Sequence, residues 1–188
     1  MRIIKLNAID STNTYLRQLS SASALEDYTI VSTQLQTQGR GQRGTIWESQ
    51  DSKNLMFSVY KSMSFVEFSN AFCISMVTAL SLVKTLKQFG VPKPMIKWPN
   101  DILSENKKVC GILIENIVTQ NTLKATIIGI GLNVNQTEFP NLPQASSMLL
   151  QTGKVFSQDE ILLAIVQHMK YYFTFLKKKK IEVLTEAY

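Results

Sequence analysis

Hydrophobic and polar positions along this chain switch between a period of two and a period near 3.6, and the switches predict the element order. Residues 3–9 read as a first strand. Asp10-Ser11-Thr12-Asn13 follows, and any of its first three residues can cap a helix through Thr14-Tyr15-Leu16-Arg17-Gln18-Leu19. Residues 28–36 read as a second strand, with β-branched Thr29, Ile30, Val31 and Thr33. From 36 to 54 neither period holds, which predicts a long loop of the kind that is usually a functional lid or a disordered segment. Residues 54–60 return to a strand pattern, and 68–89 predict a helix ended by Gly90 and then Pro92 and Pro94.

The next stretch organises the rest. Lys97-Trp98-Pro99-Asn100-Asp101-Ile102-Leu103 and Val109-Cys110-Gly111-Ile112-Leu113-Ile114-Glu115 flank the polar run Ser104-Glu105-Asn106-Lys107-Lys108. That pattern predicts a strand, a tight polar turn and a returning strand. Pro99 breaks the first strand and aims the Asp101 carboxylate out of it, while Lys108 stands where the chain re-enters a hydrophobic run. A cation there can meet an anionic substrate. A turn is expected at Gln120-Asn121, then a long apolar strand over 123–134, broken at Gly129 and Gly131. Residues 139–143 read as loop and 144–150 as a short helix. Ser157-Gln158-Asp159-Glu160 forms a capping box for a last helix carrying Ile161, Leu162, Ile165, Met169, Tyr172, Phe173 and Leu176. The basic run from Lys177 to Lys180 reads as a solvated helical end rather than a binding patch.

Composition narrows the picture. The 188 residues suffice for one domain with a sizeable core, and 45% hydrophobic against 18% charged residues excludes pervasive disorder. A net charge of +6 favours anionic partners, although a plain soluble protein also carries such a charge. Cys73, Cys110 and the single His168 are too few for a structural zinc site, a histidine triad or a disulfide scaffold. The N-terminal Met1-Arg2-Ile3-Ile4-Lys5-Leu6 is too polar for a secretory signal. The longest uncharged run, between Glu67 and Lys84, falls short of a bilayer span and reads as a core helix. Cytoplasmic residence with no membrane partner is the expectation, with both cysteines buried thiols in a reducing compartment.

Two motifs carry candidate chemistry. Gly39-Arg40-Gly41-Gln42-Arg43-Gly44 matches G-x-G-x-x-G, but Thr45-Ile46-Trp47-Glu48-Ser49 has no helical period, so the dinucleotide-binding reading fails on context. What remains is a glycine loop holding two guanidinium groups that can pair with carboxylate or phosphate, against the plainer reading of a mobile surface loop. Gly129-Ile130-Gly131-Leu132-Asn133-Val134-Asn135 ends a strand with amides suited to an adenine edge or a ribose, or else marks a bulge.

Together these segments resemble the biotin protein ligases, and the resemblance covers nearly the whole chain. It rests on Ser11-Thr12-Asn13, on Gln36 with Gly39-Arg40-Gly41 and Trp47, and on Lys97-Trp98-Pro99-Asn100-Asp101. It rests further on Lys107-Lys108, on Gly111-Ile112-Leu113-Ile114-Glu115 and on the glycine-asparagine segment just described. The resemblance implies an α+β domain over 1–188: a mixed, mostly antiparallel sheet with helices packed on one face, of the class II aminoacyl-tRNA synthetase-like kind. It implies that biotin and ATP react to biotinyl-5′-AMP, with Mg²⁺, and that a lysine of a biotin carboxyl carrier protein, an acetyl-CoA carboxylase subunit, then takes the biotin.

The same resemblance implies the residue roles. Lys108, Asp101 and Arg40 are the catalytic set, Lys108 contacting the biotin carboxylate and the reacting phosphate and Asp101 assisting the carrier lysine. Ser11, Thr12, Asn13, Gln36, Arg40, Gly41, Gln42, Lys108 and Gly111 bind biotin. Gly39, Arg40, Arg43, Trp47, Asn100, Lys108 and Asn133 bind ATP and the adenylate, with Trp47 stacking on adenine. No protein-held metal site is implied. The physics agrees, because two anions must meet and preorganised cations neutralise the charge that accumulates.

Two departures matter. Gln42 stands where the family commonly has arginine, so part of the anion clamp passes to Arg43. The chain also begins at the catalytic domain, which implies no DNA-binding repressor role, and ends before the small β-barrel many members carry. A homodimer is the further partner the family suggests. The competing readings are a lipoate or octanoyl transferase of the same superfamily and a catalytically weak biotin-binding fragment.

Overall fold

Each central strand sends alternate side chains into two different helical layers. The computed structural model describes residues 1–140 and 142–188. Its strands are β1 (Arg2–Ile9), β2 (Thr29–Gln36), β3 (Leu55–Ser62), β4 (Pro94–Lys97), β5 (Asp101–Ser104), β6 (Lys107–Thr119) and β7 (Thr122–Leu132). Its helices are α1 (Thr12–Ala22), α2 (Phe72–Gln88), α3 (Met148–Thr152), α4 (Gln158–Lys177) and α5 (Ile181–Ala187). The seven strands form one sheet in the order β1-β2-β3-β7-β6-β5-β4. β1 and β2 are parallel and every other described pair is antiparallel, the mixed sheet expected.

The placement of the helices corrects one expectation. Ile30, Phe57, Val59, Ile128 and Ile130 face a core built with α2, α4 and α5. Val31 and Ile127, one residue out of phase, face the other way and pack under Leu16 of α1. Helices therefore cover both faces, not one. The reason is in the strands: Ile30-Val31 and Ile127-Ile128 are apolar on both sides, so both faces must be removed from water.

Local chemistry sets the boundaries. Ser11 is the residue of the three candidates that caps α1, its Oγ accepting from the Thr14 N–H at 3.5 Å. The polar connection expected over five residues shrinks to Glu105-Asn106, both left-handed (φ 49° and 66°), while Ser104, Lys107 and Lys108 join the strands. Such a two-residue turn matches the twist of its flanking strands. Gln120-Asn121 makes a second turn of the same kind, as expected (φ 49° and 58°). The strand expected to break at Gly129 and Gly131 runs through both without a bulge, Gly129 opposite Leu113 and Gly131 opposite Gly111.

The helix expected over 68–89 begins with a 3-10 turn at Phe68–Asn70 before α2. By length and composition that span could cross a membrane, yet it packs as the core helix, with Ile74, Val77, Leu82 and Leu86 fully buried. The helix expected over 144–150 starts only at Ser147, whose Oγ accepts from the Leu150 N–H at 3.2 Å. Residues 144–146 instead run along β6, where the Lys108 N–H donates to the Gln144 carbonyl at 2.7 Å. Of the loop expected at 139–143, Asn141 lies outside the described residues. Ser157 caps α4 through the Glu160 N–H, and the run Lys177 to Lys180 is exposed where α4 turns into α5.

Ile128 tests the core. Replacing this fully buried side chain by alanine removes apolar contacts that the rigid sheet cannot close over, and Ile128→Ala should destabilise the fold by about 3 kcal/mol. Urea unfolding checks it: the midpoint falls while the slope stays unchanged.

Candidate active site

On the α1 face the sheet carries a bare patch of backbone at Gly111 of β6 and Gly129 and Gly131 of β7. The absent side chains are what make room. A Cβ on Gly129 would collide with the Asn13 side-chain amide, and one on Gly131 with the Trp47 ring. One on Gly111 would lie 2.9 Å from Trp47 Cζ3. Above this floor opens a cleft of about 360 Å³, bounded by the start of α1, the glycine loop, the 98–101 corner and Lys108.

A bulge aims Lys108 into that cleft. Asp101 pairs with Gly111 and Ile102 with Cys110, but Leu103 then pairs with Lys108, leaving Val109 over. Without that extra residue Lys108 would sit opposite Ser104 and point to the α2 face. With it, Lys108 Nζ comes 2.7 Å from Asp101 Oδ1, out of line for a hydrogen bond but close as an ion pair. Lys97 stands 4.0 Å from the other Asp101 oxygen. Cys110 beside them is fully buried, and burial holds its thiol well above the ordinary range, so it takes no part as a nucleophile.

The wall at α1 is a polar network. Gln36 Oε1 accepts from the Thr12 N–H at 2.9 Å and from Thr12 Oγ1 at 3.1 Å. Ser58 Oγ, fully buried on β3, lies 2.8 Å from Thr12 Oγ1 and 2.6 Å from Asn13 Oδ1. Asn13 Nδ2 donates to Glu115 Oε2 at 2.8 Å, and the same oxygen takes the Arg40 guanidinium at 3.2 Å. Buried polar groups are tolerable only when paired in this way.

The glycine loop folds back on itself. Gly41 donates to the Thr45 carbonyl at 2.7 Å and Trp47 to the Gly39 carbonyl at 2.9 Å, around a 3-10 turn at Gln42–Gly44. No helix follows, which agrees with rejecting the dinucleotide motif. Trp47 lies between the glycine floor and Lys108, whose Nζ is 5.6 Å from the ring centre. Its indole Nε1 is buried with no hydrogen-bond partner among the described residues.

Most expected site residues meet here. Ser11, Thr12, Asn13, Gln36, Arg40, Gly41, Gln42, Arg43, Trp47, Asn100, Asp101, Lys108 and Gly111 all line the one cleft. Gly39 lies behind the loop, buried against Trp47. Asn133 is not brought to the lining: its Nδ2 donates to the Ser146 carbonyl at 2.9 Å and braces the segment beside β6. Ser58 and Glu115 were not among the expected site residues, nor were Gly129 and Gly131. The sequence marks these two glycines, but as a break or bulge in the strand rather than as a floor. Ser58 does leave a signal, a polar residue inside an apolar strand pattern.

A family model described as the biotin/lipoate A/B protein ligase family matches residues 6–133, and the chain belongs to that family. Among curated relatives, the bifunctional ligase/repressor BirA of Bacillus spizizenii is 30% identical over 182 residues, 92% of this chain and 55% of its own. The biotin–[acetyl-CoA-carboxylase] ligase of Mycobacterium tuberculosis is 30% identical over 142 residues, 74% of this chain and 52% of its own. The chain thus spans about half the length of these relatives. The biotin protein ligase of Aquifex aeolicus in complex with biotin and ATP has a similar structure: TM-score 0.81, 31% identity, 95% of this chain and 72% of that one covered. The class II synthetase-like fold expected is the fold found.

Gly131→Ala tests the floor. The added methyl overlaps Trp47 and must push the ring toward solvent. In a Trp98→Phe background, leaving Trp47 as the single tryptophan, emission should shift to the red and acrylamide quenching increase. Unchanged emission would mean that Trp47 does not rest on the floor.

Proposed function

We propose that this chain is a biotin–[biotin carboxyl carrier protein] ligase, which activates biotin with ATP and passes it to a lysine of the carrier. One observation carries the reading: Lys108 and Arg40, with Arg43 beside them, line one cleft together with the Ser11–Gln36 wall and Trp47, over a glycine floor that lets Trp47 and Asn13 approach the sheet closely. The Aquifex relative's complex with biotin and ATP and the names of the curated relatives support it.

The chemistry follows from the charges. A biotin carboxylate oxygen attacks the α-phosphorus of ATP, an O–P bond forms, and the bond to the β-phosphate oxygen breaks to release pyrophosphate. Negative charge accumulates between two groups that repel each other, and Lys108, fixed by the bulge, offsets it without reorganising. Arg40 and Arg43 offer guanidinium groups to the phosphates, which suits them to share the clamp that Gln42 makes only as a neutral amide. Mg²⁺ enters with the triphosphate. No three Asp, Glu, His or Cys side chains cluster as a metal site among the described residues, and an ion held by phosphate and water oxygens asks for none.

In the second step the amine of the carrier lysine attacks the mixed-anhydride carbonyl, an amide forms and AMP leaves. Asp101, at the cleft rim beside Lys108, is placed to take the proton of the incoming ammonium. The adenylate must be kept from water meanwhile, and the loop from Gly39 to Trp47 is the element placed to cover it. We place the chain in the cytoplasm, where Cys73 and Cys110 stay as free thiols. The edge of β6 beyond Ile112, which β5 does not cover, suits strand pairing with a second copy, and co-purification with a tagged copy tests that homodimer.

Pyrophosphate release tests the central claim. The chain should release it only with biotin, ATP and Mg²⁺ together, and Lys108→Ala should lower the rate about 10²- to 10³-fold with the melting temperature retained. Stabilisation by lipoate but not by biotin in a thermal-shift titration would overturn the reading in favour of a lipoate transferase. Biotin binding without pyrophosphate release would reduce the chain to a binding module.

A further inference from the structure

Two cations of the cleft, Lys108 and Arg40, are each held by an internal carboxylate. Asp101 holds Lys108, and Glu115 holds Arg40. Asp101 belongs to the same hairpin as its partner, but Glu115 reaches across the fold, 75 residues from Arg40 and 102 from Asn13. One oxygen, Oε2, receives both side chains.

We infer that Glu115 is a positioning residue: its carboxylate fastens the glycine loop, through Arg40, to the α1 wall of the cleft, through Asn13. Asn13 can turn only one way, because its Nδ2 meets two acceptors, the Leu113 carbonyl at 3.3 Å and Glu115 Oε2 at 2.8 Å, while its Oδ1 faces the Ser58 hydroxyl. One Nδ2 hydrogen therefore goes to the Leu113 carbonyl and the other to Glu115, holding the carboxylate at the place where Arg40 meets it. The Glu115 side chain is 21% exposed and that of Arg40 is 46% exposed, so solvent screens the contact and leaves it breakable. A fastening of that strength suits a loop that must open for substrate in every cycle.

The rest of the loop supports this assignment. Its hydrogen bonds Gly41–Thr45 and Trp47–Gly39 are internal and hold its shape, not its position. Among the described residues, Arg40 to Glu115 is the ion pair between the loop and the sheet, and Trp47 rests on the glycine floor. Glu115 therefore acts on bound ligand through Arg40 and Asn13, without touching the reacting atoms.

Trypsin digestion of the substrate-free chain tests the fastening directly, since cleavage after Arg43 needs an open loop. Glu115→Gln keeps an acceptor for Asn13 and removes the charge that holds Arg40. It should speed cleavage at Arg40 and Arg43 by about two- to fivefold, with cuts outside the loop unchanged. Arg40→Leu tests the same contact from the loop side and should loosen Arg43 by a similar factor, with the double variant no faster than either single one. Equal cleavage in native and variant chains, or effects that multiply in the double variant, would overturn the inference. The second arm rests on the proposed ligase reading: release of biotinyl-5′-AMP should quicken by the same factor, raising KM for biotin more than it changes kcat. Faster cleavage without any biotin binding would leave the fastening standing and remove only that reading. Faster cleavage with unchanged adenylate release would confine Glu115 to the empty chain and overturn its role toward the ligand.

Discussion

A single extra residue between β5 and β6 decides which way the central lysine points. In a regular ladder, Lys108 would face the α2 layer, a place where an ammonium has no partner and a large desolvation penalty. The bulge at Val109 turns it to the α1 face instead, next to Asp101 and above the glycines. Val109 itself stays fully buried, and its carbonyl receives the Asn133 N–H at 2.8 Å. The segment 144–146 then lies against Lys108's own backbone. The side chain is thus aimed by main-chain bonds on both sides, which is what an electrostatic catalyst requires.

The two faces of the sheet divide the work. The face toward α2, α4 and α5 is filled with large apolar side chains and carries the stability. The face toward α1 gives up side chains at Gly111, Gly129 and Gly131, losing packing there to gain a floor. Leu16, Val31 and Ile127 close only its far part. That division explains why α1 stands alone on its side: a second helix there would cover the cleft.

Much of this was legible in sequence because it depends on residues close together in the chain. The Ser11 cap, the hairpin around Glu105-Asn106, the turn at Gln120-Asn121 and the irregular loop all follow from local backbone chemistry. What escaped depends on partners far apart. Ser58 joins the wall because β3 lies beside β7, and no spacing along the chain announces that. Glu115 reads as the end of an apolar strand until Asn13 and Arg40 arrive beside it. Asn133 carried the right chemistry for a nucleotide, but a distant carbonyl, Ser146, claims its amide. The bulge was hidden too, since its cause is the register with β5 rather than any turn residue. The family resemblance supplied the site residues as a set, and the coordinates distribute them between floor, wall, rim and support.

The loop's construction bears on how such a site can both admit and hide a ligand. Its two ends are pinned: Thr37 and Gln38 donate to the carbonyls of Ile9 and Asp10, and Ser52 donates to that of Gln34. Its middle carries its own hydrogen bonds and so keeps its shape when it moves. Between the pins, a stacked tryptophan and one half-exposed ion pair hold its glycine-rich middle, and Ser49 and Gln50 add contacts to Met56 and Gln136 close to the second pin. Elements held by few contacts sit at the low end of the local stability scale, whereas the hairpin carrying Lys108 and Asp101 is embedded in the ladder. The lysine that must be aimed is on the rigid part, and the cover that must open, with its two arginines, is on the loose part. On the proposed ligase reading, a more firmly bonded loop would protect an acyl-adenylate longer, but it would also slow the exchange of substrate and product that each turnover needs.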